Sequence, residues 1–221
     1  LSFKNADPQS QPKLMALYID YFFRRSDGYW KLEGLQKLPA LKRVTNMLIC
    51  GEDLGLVPPC VPELMKDLGL LSLEIQRMPK AMGLEFSRPQ DAPYLSVVTP
   101  GTHDMSTIRG WWEEDRRFTQ KFYQQELQLA GEAPLTGEAA INEAVVRQHL
   151  ASPAMWSIFQ LQDLLGTNTS LRRKDIDAER INVPANPKNY WRYRVHLTLE
   201  KLQQAEEFNA ALSQAIRAAG R

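Results

Sequence analysis

Three short, mainly apolar runs limit what this chain can fold into more than anything else in it. Asn46–Cys50 (NMLIC), Leu70–Ile75 (LLSLEI) and Tyr94–Thr99 (YLSVVT) each give way to polar, glycine- or proline-containing sequence. Short runs so rich in apolar residues read as buried strands. Segments of helical spacing lie between and around them. Pro58–Gly69 opens on proline and closes on glycine, as helices prefer. Strands alternating with helices predict an α/β fold with a parallel sheet covered on both faces. Alternation alone leaves both an open doubly wound sheet and a (β/α)8 barrel. In either, ligands gather at the carboxyl ends of the strands.

The flanking segments are helical or loop. Asp7–Pro12 is polar and proline-bounded, hence a loop. Lys13–Arg25 carries Leu14, Leu17, Tyr18, Tyr21 and Phe22 at the spacing of an amphipathic helix. Tyr29–Arg43 predicts a second helix, kinked or ended by Pro39. A long helical pattern runs from Met105 to Leu129, another covers Glu138–Leu150, and a last one covers Tyr190–Ala219. Ala154–Leu161 fits a fourth strand or a short helix, and Leu171–Pro187 reads as loop.

Composition narrows the function classes. The 221 residues are 43% hydrophobic and 24% charged, so a packed globular chain is expected rather than a disordered one. Lys+Arg number 27 against 26 Asp+Glu, a net charge of +1. That balance offers no electrostatic footprint for nucleic acid or an anionic membrane. No apolar run approaches the length of a membrane span. Cys50 and Cys60 lack zinc-site spacing, and two thiols in such a chain predict a reducing, cytoplasmic setting. The first residues hold neither a start methionine nor a signal-peptide layout, and read as a cut rather than a beginning.

Two strands run into acids. NMLIC leads into Glu52 and Asp53, and YLSVVT leads into Pro100, Gly101, Thr102, His103 and Asp104. Carboxylates and a histidine at successive βα loops suit a paired-carboxylate mechanism, in which one acid donates a proton and another stays ionised. Two plainer readings stand beside this one. Asp104 can serve as the N-cap of the helix that follows, and Glu52–Gly55 can be a solvated turn. No GxGxxG, Walker or GxSxG pattern occurs, and His103, His149 and His196 are too scattered to suggest metal ligands. Aromatic residues gather at Trp111-Trp112 and at Tyr190–Arg194 (YWRYR). Such faces can stack on sugars, although core packing explains most of them.

Taken together, the motifs resemble a known family. ICGEDLG (residues 49–55), TPGTHDMSTIRGWW (99–112), LQDLLG (161–166) and RINVPANPKNYWRYR (180–194) are similar to segments of the 4-α-glucanotransferases. That family comprises the amylomaltases and disproportionating enzymes of glycoside hydrolase family 77. The form of these segments resembles the branch of the plant cytosolic enzyme and its bacterial relatives.

The resemblance implies a (β/α)8 barrel and a retaining double displacement on α-1,4-glucans, with no metal or organic cofactor. It implies that Glu52 is the acid/base, Asp104 the stabilising aspartate and His103 a binder of sugar hydroxyls. Asn182 would approach the substrate, and Arg77, after the next strand, is a further substrate-binding candidate. The family's nucleophile belongs to an Arg-x-Asp-His motif on the fourth barrel strand, and this chain contains no such motif. The chain is therefore expected to be the C-terminal half of the barrel with extra helices. Residues 1–45 would precede the barrel strands, and 46–221 would form the half barrel and its C-terminal helices. Its expected partners are a maltooligosaccharide or other α-glucan and the N-terminal half of the same barrel, without which it should be inactive. A non-catalytic glucan-binding or assembly module and an amylase-type hydrolase are the alternatives.

Overall fold

A computed structural model describes residues 3–55 and 57–221. The chain divides into two compact units, residues 1–73 and 74–221.

The first unit is mainly helical. Helix α1 (Ser10–Asp20) passes through a π-helical turn at Tyr21–Arg25 directly into α2 (Ser26–Arg43). The two expected helices are thus joined, and Pro39 lies inside α2 without ending it. None of the described side chains on this rod is buried, although it carries Leu17, Tyr18, Phe22, Phe23 and Trp30. Helix α3 (Cys60–Leu68) lies within the predicted Pro58–Gly69, starting two residues later and ending at the predicted glycine. At its start, Cys60 N–H donates to the Asp27 carboxylate at 2.8 Å. At its end, Gly69 takes a left-handed conformation (φ +61°). The amides of Gly69 and Leu70 then return to the Lys66 and Met65 carbonyls at 3.0 and 2.8 Å. This closes the helix in the way glycine permits.

The expected strand at Asn46–Cys50 shrinks to a single parallel bridge between Cys50 and Leu71. Leu71 N–H donates to Ile49 O at 2.9 Å and Gly51 N–H to Leu71 O at 2.8 Å. Upstream, Met47 N–H donates to Thr45 Oγ1, a local turn that competes with an extended ladder.

The second unit holds most of the sheet and the buried core. The strands β1 (Ser72–Ile75), β2 (Ser96–Thr99) and β3 (Trp156–Ser157) lie in that order in one sheet. Strand β3 is parallel to β2, with Val97 opposite Trp156 and Val98 opposite Ser157. This resolves the Ala154–Leu161 ambiguity both ways, since a two-residue strand is followed closely by α7 (Leu161–Leu165). The buried cluster comprises Phe86, Ile108, Trp112, Phe122, Ala133, Ile141 and Val145, with Trp111 packed against it. The rings of Phe86 and Trp111 meet Phe122 edge-on at 5.0 and 5.1 Å, and Trp112 Nε1 donates to Pro134 O at 2.8 Å. Core packing is the role of the Trp111-Trp112 pair.

Two long helical patterns break. Met105–Leu129 splits into α4 (Ile108–Glu114) and α5 (Arg116–Gln125). Asp115 turns extended between them, and its carboxylate accepts from Arg117 N–H. An aspartate that caps one helix ends the other. After α6 (Ala139–Leu150), Tyr190–Thr198 is irregular, and only α8 (Leu199–Gln203) and α9 (Glu206–Ala218) are helical. Thr198 caps α8 by accepting from Lys201 N–H. Among the described residues no helix is long and apolar enough to cross a membrane.

Substituting Gly69→Ala forces a Cβ into the left-handed region and should destabilise the first unit by about 1 kcal/mol. The readout is a lowered thermal midpoint, and an unchanged midpoint contradicts the cap.

Candidate active site

The loop between β2 and α4 carries the predicted His103 and Asp104. Asp104 is not the cap of α4. Thr107 fills that role, its Oγ1 accepting from Gly110 N–H at 3.2 Å. Asp104 instead projects outward with its side chain 48% exposed, beside the 52% exposed His103, whose Nε2 lies 3.5 Å from Asp104 Oδ1.

Asn182 comes to the same place from far along the chain. Its Nδ2 donates to Asp104 Oδ1 at 2.6 Å, and its backbone N–H donates to His103 O at 3.1 Å. Asn189 Nδ2 donates in turn to Asn182 Oδ1 at 2.8 Å, and Arg180 Nε to Asn182 O at 3.0 Å. The exposed Trp191 ring packs on the His103 ring, with centroids 4.9 Å apart. The structure therefore joins His103, Asp104 and Asn182 into one exposed polar cluster and adds Asn189 and Trp191. Both additions lie in the aromatic and basic stretch visible in the sequence, where composition offers no reason to single them out.

A buried charge holds the Asn182 segment in place. Glu179, 2% exposed, pairs with Arg109 of α4 and accepts from Thr107 Oγ1 at 3.1 Å. Gln162 Nε2 donates to Glu179 O at 3.1 Å. Burial raises the Glu179 pKa while the Arg109 charge opposes the rise. With Glu179 fixed on the first turn of α4, Asn182 falls beside Asp104. No sequence signal marks Glu179, because an acid in a charged loop ordinarily reads as solvated.

The loop is also held from beneath. Arg77, placed just after β1, donates from Nε to Pro100 O at 2.8 Å and from Nη2 to Ser106 O at 2.6 Å. Asp163, 1% exposed on α7, accepts from Ile108 N–H at 2.7 Å. LQDLLG thus supplies a buried carboxylate to an otherwise orphaned amide of α4. Glu52 lies in the first unit, exposed, closely after the Cys50 bridge. Its neighbour Asp53 is buried and accepts from Leu73 N–H at 2.8 Å. Of the five predicted residues, Glu52 belongs to the first unit and the other four to the second. Among the described residues no group of three His, Cys, Asp or Glu side chains is arranged to hold a metal ion.

Burial shifts two groups of the second unit in opposite directions. Burial lifts the Asp163 pKa from 3.8 to about 6, with the Arg77 charge opposing and Glu179 adding to the rise. Burial depresses His149 from 6.5 to about 4, although its Nδ1 lies 2.8 Å from Val145 O. The fold binds the Asp163 proton more tightly than the unfolded chain does. That stability is full below about pH 4 and lost as pH rises through about 6. The His149 contribution is full above about pH 6.5 and lost as pH falls through about 4. The slopes oppose, each spanning roughly 3 kcal/mol at most. Asp163→Asn should leave the His149 slope less opposed, with Glu179 still acting against it, so its melting midpoint should fall more steeply from pH 6.5 to 4 than that of the unmodified chain. Parallel curves contradict this balance.

Known proteins resemble this chain in sequence and in fold. The family model described as 4-alpha-glucanotransferase, glycoside hydrolase family 77, matches residues 6–199. The 4-alpha-glucanotransferase DPE2 of Oryza sativa subsp. japonica is 41% identical over 220 residues, covering 100% of this chain and 23% of the relative. A 4-alpha-glucanotransferase of Chlamydia pneumoniae is 29% identical over 187 residues, covering 83% of this chain and 35% of its own length. The chain thus spans about a quarter to a third of these relatives. In three dimensions it resembles the amylomaltase of Streptococcus agalactiae solved in complex with acarbose, with a TM-score of 0.64 at 23% identity over 85% of this chain and 35% of that one. It also resembles the amylomaltase of Corynebacterium glutamicum, with a TM-score of 0.58 at 15% identity over 80% of this chain and 29% of that one. The α/β fold is that of the amylomaltase structures, and the chain belongs to the 4-alpha-glucanotransferase family.

Proposed function

We propose that this chain forms the C-terminal half of a (β/α)8 barrel that moves α-1,4-glucan segments between maltodextrins, or onto glucose, by a retaining double displacement. Residues 1–45 precede the barrel strands in this reading, and 46–221 contribute the half barrel with its C-terminal helices. The observation that supports it best is the bond from Asn182 Nδ2 to Asp104 Oδ1 at 2.6 Å. It ties two motifs 78 residues apart into one exposed cluster at the end of β2. Carboxylate, amide, imidazole and an exposed indole together suit a sugar ring, which offers hydroxyls at its edge and an apolar face.

The chemistry follows from the groups. A carboxylate nucleophile, supplied by the preceding half of the barrel, attacks the anomeric carbon as the glycosidic C–O bond breaks. Glu52 gives its proton to the leaving oxygen, so a covalent glycosyl-enzyme forms and one glucan departs. Glu52, now a carboxylate, takes the proton from the hydroxyl of an acceptor glucan. That oxygen attacks the same carbon and frees the nucleophile, with net retention. The Asp104 carboxylate offsets the positive charge that develops on the sugar in each step, while Asn182 fixes its orientation. His103 and Trp191 hold the ring. None of these steps calls for a metal or an organic cofactor.

In the full-length enzyme, Asp104→Asn should lower kcat about 10²- to 10³-fold with a small change in KM. Glu52→Gln should lower it about 10²- to 10⁴-fold while maltooligosaccharide binding persists. Maltotriose disproportionation is the assay, and undiminished turnover in Glu52→Gln favours a glucan-binding module instead. The 221 residues alone should not disproportionate maltotriose, and glucose release by the purified chain overturns that expectation.

A further inference from the structure

We infer that Arg77 and Asp163 form a buried clamp that positions Asp104 by fixing both ends of the loop it stands on, rather than by touching the glucan. This inference rests on the proposed role of Asp104.

The loop leaves β2 at Thr99 and enters α4 at Ile108. Its inner contacts are few. Met105 N–H donates to Thr102 O at 3.0 Å, and Thr99 Oγ1 donates to Gly101 O at 2.8 Å. These shape its turns but do not tie its beginning to its end. Arg77 does. One guanidinium holds Pro100 O at the start and Ser106 O at the finish. Two carbonyls held by one rigid fork have a fixed separation, which a flexible ammonium would not impose. Asp163 holds the next point along the chain, Ile108 N–H, at 2.7 Å. Asp104 lies between these anchors.

Two further features show that the loop is built around this arginine. A Cβ added to Gly101 would lie 2.0 Å from Arg77 Nη2, so the guanidinium occupies space that only glycine leaves open. The Arg77 guanidinium also lies over the Trp111 ring, its Cζ 5.4 Å from the ring centroid. Arg77 and Asp163 also feel each other directly. Each charge favours the ionised form of the other. Arg77 Nη1 and Asp163 Oδ2 are both buried and make no hydrogen bond in the structure. Opposite charges set under one loop keep each other ionised at lower cost than either alone. The polar atoms of Arg77 that make bonds are spent on backbone carbonyls. Arg77 is on these grounds a positioning residue and not a binder of substrate.

The test places Arg77→Lys and Asp163→Asn in the full-length enzyme. Two readouts are taken, the kcat and KM of maltotriose disproportionation and hydrogen exchange of peptides covering residues 100–108. The lysine keeps the charge and loses the fork. It should lower kcat about 10²-fold with KM within about threefold, and speed exchange in the loop at least about tenfold. The asparagine keeps an acceptor for Ile108 and loses the charge. It should show the same kcat-specific loss, about tenfold, and it decides the question if the lysine variant does not fold. A raised KM with kcat preserved in Arg77→Lys would mean that Arg77 binds glucan, and overturns the clamp. Wild-type kcat and wild-type exchange in either variant remove that residue from it. Absence of turnover in the unmodified enzyme defeats the proposed function instead, and loop exchange then judges the clamp by itself.

Discussion

The β2–α4 loop must hold a carboxylate at the surface on a backbone whose own polar groups face inward. Pro100 O, Ser106 O and Ile108 N–H all point into the protein, where each would be costly without a partner. Arg77 and Asp163 provide those partners. Burying two charges to satisfy three backbone groups is an expensive arrangement for stability alone, since apolar side chains and a shorter loop would serve as well. It makes sense where the loop's shape matters more than its stability. The exposed group standing on it is Asp104.

The same logic extends one layer outward. Glu179 meets Arg109 and Thr107 on the first turn of α4 and thereby brings a long irregular segment onto the loop. Asn182 then reaches Asp104 and His103, and Asn189 reaches Asn182. Every connection from the buried charges to the surface cluster is a short polar contact, and little of it is apolar packing. The apolar core takes in Ile108 and Trp112 of α4 together with Phe86 and Phe122 and keeps that helix in place. The core fixes the helix, the buried charges fix the loop, and the loop fixes the acid.

Much of this is legible in the sequence, and the reasons differ by element. Helix α3 can be read because its proline and glycine act locally. Strand β2 can be read because it is buried along its whole length, which suits its Val97 and Val98, whereas β1 is buried only at Ile75 and keeps Ser72 and Glu74 between its apolar residues. The first apolar run misleads, since composition does not report that Thr45 turns the chain and leaves one bridge at Cys50. Asp115 is invisible as a helix break because an aspartate within a charged helical pattern looks like a surface residue. The THD and asparagine motifs are visible as separate segments. That they meet depends on Glu179 and Asp163, whose burial no local pattern announces. Only the family resemblance suggests Arg77 as a candidate for substrate, and its hydrogen bonds go to the backbone carbonyls of Pro100 and Ser106.

Whether a glucan ring sits at the Asp104 cluster is tested most directly by a crystal structure of the full-length enzyme with acarbose or a maltooligosaccharide bound. It should show sugar hydroxyls within hydrogen-bond distance of the Asp104 carboxylate and the His103 imidazole, with Asn182 still donating to Asp104. A sugar bound elsewhere, with Asp104 engaged only by Asn182, would contradict it.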